Sequence, residues 1–188
     1  MDAVAVAFGP LLGEPAWSVT RGHGSFLTFE FGEPALRIDA EPWTRVHSLS
    51  ATEEITVSTR SAVVHGSWHL WVYCCRWSLT AQQHELANDG SDDTSIDRAL
   101  GILSGQALTS VDVNIDDGSS LFTFDLGCVL STRPAPDGIY GAGPVEQWML
   151  YQPSGDVLTV RGDGRYSVES PKEASSGDHW RRLSSGDR

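Results

Sequence analysis

The residues of this chain that could do chemistry are, first, its six histidines. His65 and His69 are separated only by Gly66-Ser67-Trp68, and Cys74 and Cys75 follow shortly after. Imidazole and thiolate together can hold zinc. On an extended strand, His69 and Cys75 share a face, while His69 and Cys74 do not. No C-x-x-C accompanies them. The expectation is a strand-end histidine pair bonded to backbone, with no metal and no cofactor. His23 lies between Gly22 and Gly24, where the backbone can approach a ligand closely. With Glu30 as an orienting acid it is a candidate general base, although a plain turn role is commoner.

Glu30 has a counterpart. Ser25-Phe26-Leu27-Thr28-Phe29-Glu30-Phe31-Gly32 recurs as Ser120-Leu121-Phe122-Thr123-Phe124-Asp125-Leu126-Gly127. If the two copies met about a twofold, Glu30 and Asp125 could pair as an acid–base couple or hold a cation. A solvent-facing polar stripe is the commoner use of Thr28/Glu30 and Thr123/Asp125. His23, Glu30 and Asp125 are therefore the weak catalytic candidates, and no catalytic residue is assigned. Trp17, His23 and Trp43 are the candidate contact residues. Arg161-Gly162-Asp163 reads as turn chemistry, Asp163-Gly164 being a favoured hairpin pair.

These residues need strands to position them. Both copies of the repeat alternate with a period of two. Each follows a Gly-containing turn and a short β-branched run, so each reads as the second arm of a hairpin. Ser67 to Leu79 reads as one long central strand, apolar on both faces. Leu36-Arg37-Ile38 reads as a short strand broken at Glu41-Pro42-Trp43. Ile96, Ala99, Leu100 and Leu103 fall at helical spacing behind a Ser91 or Asp93 cap, with Gly105 as the stop. A shorter helix is expected within residues 2–12. The fold class expected is mainly β, of α+β type. Antiparallel sheets are built from two duplicated helix–hairpin–strand halves with one or two short helices. The halves run over 1–90 and 91–168, and residues 169–188 read as a mobile tail.

Composition narrows the function. The chain has 188 residues, 40% hydrophobic, and a formal net charge of -12. An acidic surface repels phosphate backbones, so nucleic-acid binding is not expected, while a basic protein partner is compatible. Three cysteines without framework spacing suit a reducing, cytoplasmic setting. No apolar run approaches a membrane span. Motifs for phosphate binding, dinucleotides, serine nucleophiles or zinc proteases are missing from the sequence.

Gly22-His23-Gly24-Ser25-Phe26-Leu27-Thr28-Phe29-Glu30-Phe31-Gly32, the Trp68-His69-Leu70-Trp71 strand and Phe122-Thr123-Phe124-Asp125-Leu126-Gly127 together give a pattern that resembles small uncharacterised bacterial proteins. The resemblance brings no activity and no site residue with it. In type, a compact acidic β-rich chain is similar to immunity proteins that neutralise toxins. The leading expectation is a non-catalytic protein-binding module, immunity-like, that masks a basic partner. The alternatives are a small hydrolase or isomerase using His23 with Glu30 or a paired-acid site, and a structural homodimer subunit.

Overall fold

The computed structural model describes residues 2–47, 54–170 and 179–183, with side chains described for all of these except 41–47 and 54–56. Helix α1 (Ala3–Phe8) starts where the Asp2 carboxylate accepts from the Val4 N–H at 3.0 Å. It buries Val4, Ala7 and Phe8, one face at i, i+3, i+4 spacing. Strands β1 (Trp17–Arg21) and β2 (Leu27–Phe31) form the first hairpin. Then come β3 (Ala35–His47), β4 (Glu54–His65), β5 (Trp68–Val72), β6 (Cys75–Ala81) and β7 (His84–Asn88). Helix α2 (Asp93–Leu103) is capped by Asp92, between the two residues expected to cap it. It buries the predicted stripe of Ile96, Ala99, Leu100 and Leu103. The second hairpin, β8 (Leu108–Val113) with β9 (Ser120–Phe124), is followed by β10 (Cys128–Pro134), β11 (Glu146–Tyr151), β12 (Val157–Arg161), β13 (Arg165–Glu169) and β14 (Arg181–Arg182).

The strands make a seven-stranded sheet in the order β1-β2-β5-β11-β12-β13-β14 and a five-stranded sheet in the order β7-β6-β10-β9-β8. The fold is mainly β and antiparallel, with two short helices, as the alternation predicts. The inner faces of the two sheets build the core. Phe29, Phe31, Leu70, Trp148 and Leu150 come from the first, and Trp77, Leu79, Phe122, Phe124 and Leu130 from the second. Trp148 joins the layers. Its ring meets Phe122 edge-on at 5.8 Å and Phe8 at 5.6 Å, and its indole N–H donates to the Ser120 hydroxyl at 2.9 Å. That bond satisfies a donor with no access to water.

The expected single strand from Ser67 to Leu79 is two strands in different sheets. Cys74 adopts φ 51°, a left-handed conformation rare for a residue with a Cβ. The kink reverses the parity of the alternation: Leu70 and Val72 face the core before it, and Cys75, Trp77 and Leu79 after it. Similarly, the short strand expected to end at Glu41-Pro42-Trp43 continues to His47. Pro42 cannot donate to the ladder, and the register of β3 on β4 shifts between Glu41 and Thr44.

The two helix–hairpin junctions clasp one another. Gly13 N donates to Leu108 O and Leu108 N to Glu14 O; Gly105 N donates to Ala16 O and Ala16 N to Gln106 O. Each segment thus gives and receives in the same pattern with roles exchanged, around the Pro15–Ala107 bridge. Farther out the likeness of the two segments ends, because β2 leads into β3 and β9 into β10. Each large sheet contains strands from both sides of residue 90, so β5 pairs with β11 and β6 with β10.

Much of the predicted tail, 171–178 and 184–188, lies outside the described residues. Between these stretches β14 pairs with β13, and the Trp180 ring lies 4.3 Å from the Arg161 guanidinium. The same guanidinium donates to both Asp163 carboxylate oxygens, at 2.9 and 2.6 Å. These bonds, with burial opposing, hold the Asp163 carboxyl below the usual aspartate range. A carboxyl with a depressed folded pKa contributes stability above its unfolded pKa and loses it as pH falls through the folded value. Asp163→Asn should therefore lower the thermal midpoint at neutral pH, with the difference from wild type shrinking as the pH is taken down through the aspartate range. Melting curves at a series of pH values measure this.

Candidate functional site

Strands β2 and β5 are the two sides of one very long hairpin. Their ladder runs to Phe31 opposite Trp68, and the β3–β4 ladder takes over at Ala35 opposite His65. Between these pairs, Gly32-Glu33-Pro34 on one side faces only Gly66-Ser67 on the other. The unequal count makes a bulge, which bends the hairpin and re-aims what lies beyond it. Beyond it, β3 and β4 pair with each other and with no third strand among the described residues. The result is a two-stranded arm leaving the seven-stranded sheet.

Glu30 sits at this joint. In the sheet register it lies between Trp17 and His69, and His69 lies in turn opposite Tyr151. The predicted polar stripe would leave Glu30 in solvent, but it is only 5% exposed. Oε1 meets His69 Nδ1 at 2.8 Å and His65 Nδ1 at 3.2 Å, and Oε2 accepts from the Gly66 N–H at 2.8 Å. The histidine pair is thus bonded to a carboxylate, not to backbone as its strand-end position suggests. Burial pushes the Glu30 carboxyl up, but the hydrogen bonds from His69 and Gly66 and the charges of the two histidines outweigh it, so the pKa lies below the usual glutamate value.

The joint leaves no room for a side chain at Gly66. A Cβ there would collide with the Phe31 carbonyl oxygen and lie 2.9 Å from the Phe31 nitrogen. Only glycine lets the two backbones close up enough for its N–H to reach Glu30. The bulge is also tied by Ser67 N donating to Glu33 O and by the Trp17 indole N–H donating to Gly32 O, both at 3.1 Å.

The same outer face continues as an aromatic strip. Trp71 and Tyr73 stack at 4.6 Å, and Phe26 meets both edge-on. The His69 ring lies 5.6 Å from that of Tyr151, which is 37% exposed. The strip is half-buried and reachable from solvent. Chemically, a carboxylate between two partly exposed imidazoles can share a proton or hold a cation.

The other candidates do not converge here. His23 is exposed in the β1–β2 turn, and its carbonyl accepts from Phe26 N at 3.3 Å. Asp125 is exposed at the end of β9, in the other sheet, where it accepts from Ala107 N at 2.8 Å. Glu30 and Asp125 are therefore not a pair. Cys75 is buried in the core and donates to Gln147 O at 3.5 Å; burial pushes its thiol well up. Cys74, Cys75 and Cys128 are all free thiols. Trp17 is half-buried beside the joint, while the Trp43 side chain lies outside the described residues. Sequence reasoning missed the meeting of Glu30 with His65 and His69, and the place of Tyr151 beside them.

No protein-family model, curated protein or solved structure matches this chain. Among the described residues, no helix is long and apolar enough to cross a membrane.

Replacing Gly66 by Ala should cost about 3 kcal/mol, the scale of an overpacked site whose neighbour is backbone. Gly24 has φ +64° but open space around it, so Gly24→Ala should cost only about 1 kcal/mol. Urea denaturation of the two variants measures the difference, and equal losses would mean that the close approach at the joint is not under load.

Proposed function

We propose that the chain is a non-catalytic protein-binding module, immunity-like in character, that engages a basic partner through the β3–β4 arm. The observation carrying this reading is the arm itself. A two-stranded ribbon is marginal in water unless one face is covered. Here Leu36 lies opposite Val64 and Ile38 opposite Ala62, so all four share a face. Leu36 is 67% exposed, Ile38 55% and Val64 49%. Among the described residues no third strand pairs with β3 or β4, an arrangement that suits strand addition by a partner.

Charge selects the occupant. A net charge of -12 draws in a basic surface and opposes a second copy of the same acidic chain. The apolar stripe supplies contact area and the acidic body steers encounter. The free thiols fit a reducing cytoplasm as the setting. His23 and Asp125 are exposed at turns and are not among Glu30's hydrogen-bonding partners, which supports the binding reading over the enzyme alternative.

The test is to mix the purified chain with proteins encoded beside its gene, at low and moderate salt. A complex with a basic neighbour is expected, weakened by salt and at least tenfold weaker for Leu36→Ser/Val64→Ser, with unchanged circular dichroism. Lack of a complex with any neighbour at either salt, or an affinity indifferent to the arm substitutions, would overturn the proposal. So would a solution mass showing a homodimer that the same substitutions dissociate.

A further inference from the structure

We infer that Glu30, His65 and His69 form a binding site for a divalent transition-metal ion, with zinc as its simplest occupant. One ligand atom from each of the three residues lies within 4.8 Å of the other two. The contacts within the set are tighter: Glu30 Oε1 is 3.2 Å from His65 Nδ1 and 2.8 Å from His69 Nδ1. Ligands bound at about 2.0–2.2 Å stand roughly 3 to 3.4 Å from one another around a tetrahedral or octahedral ion. The two glutamate–histidine contacts are already near that spacing. Small changes in side-chain torsion would admit an ion in place of the shared protons.

A further observation points to a cation. The Glu30 carboxylate is 5% exposed, and its ion-pair partners among the described residues are both histidines. A carboxylate buried away from water is stabilised by a positive charge beside it, and a metal ion held by the same three residues would supply one.

The donor set also says which ions suit it. Two imidazoles and a carboxylate favour zinc, iron(II) and their neighbours over calcium or magnesium, which prefer all-oxygen shells. Three protein ligands leave at least one coordination position open. Both histidine side chains are about a quarter exposed, at 25% and 26%, and the His69 ring lies beside that of Tyr151. His65 ends β4 while Glu30 and His69 lie on β2 and β5, so an ion would tie the root of the arm to the sheet.

The inference is independent of what the arm binds, and its experiment needs no partner. The full chain is stripped with chelator and titrated with Zn²⁺ by calorimetry and with Co²⁺ by visible absorption. One ion per chain is expected, with Co²⁺ giving d–d bands and no thiolate charge-transfer band. Glu30→Gln and His69→Asn should each weaken binding at least tenfold, and His23→Ala should leave it unchanged. If a variant fails to fold, the wild-type Co²⁺ spectrum still decides between nitrogen–oxygen and thiolate ligation. Failure of wild type to bind either ion, a thiolate band, or undiminished binding in folded Glu30→Gln and His69→Asn would overturn the assignment.

Discussion

A carboxylate with almost no access to water is the constraint on which the joint of this molecule depends. Glu30 accepts from the Gly66 N–H through one oxygen and meets both His65 and His69 through the other. An ionised buried group is tolerated only when its oxygens are satisfied and its charge is answered. The pairing of β2 with β5 puts His69 opposite Glu30, the bulge swings His65 back over it, and Gly66 lacks the Cβ that would hold the chains apart. Losing one partner would leave the buried carboxylate with fewer groups answering its charge. The root of the arm is thus tied by polar contacts, while apolar residues fill the space between the two large sheets.

This division explains what was legible in the residues. The hairpins around Gly22-Gly24 and Asp117-Gly118 follow from local alternation and turn chemistry, and α2 from its apolar spacing and cap. Local signals also carried the core, since Phe29 and Phe124 both lie on the inner faces of their sheets. The misreading of Ser67–Leu79 has an informative cause. Apolar residues on both parities looked like a strand covered on both sides. In fact the inward parity changes once, at Cys74, where the chain crosses from one sheet to the other. A left-handed cysteine carries no composition signal, unlike a glycine or asparagine at such a bend.

The site was legible only in pieces. His65 and His69 stood out by spacing and Glu30 by its place in a repeated motif. Nothing local joined them, because Glu30 and His69 are 39 residues apart and meet only if β2 pairs with β5 across the whole arm. The repeat makes Asp125 a candidate partner for Glu30 if the two copies meet about a twofold. That expectation treats the two copies as equivalent, and they are so only around the clasp of Gly13 and Gly105. Past the shared motif, β2 runs into the bulge and the arm while β9 turns directly into β10. The acid at the same place in the motif is then buried in one copy and exposed at a turn in the other.

The contrast between those two acids bears on what the chain is for. Asp125 does ordinary turn work, capping the Ala107 N–H from the surface. Glu30 is asked to stay charged away from water, and well-packed apolar residues at such a place are often as stable or more so. What an apolar substitute could not do is hold Gly66 by its N–H, orient two imidazoles at once and present them beside Tyr151 on an accessible aromatic face. A joint built from polar groups is directional, fixing one angle where packing would allow several. Leu36, Ile38 and Val64 lie exposed on the ribbon beyond that joint, so the contacts at its root bear on how they are held. On the proposal that the arm docks a partner, Glu30 and the apolar stripe act together, the first tying the root of the ribbon that carries the second.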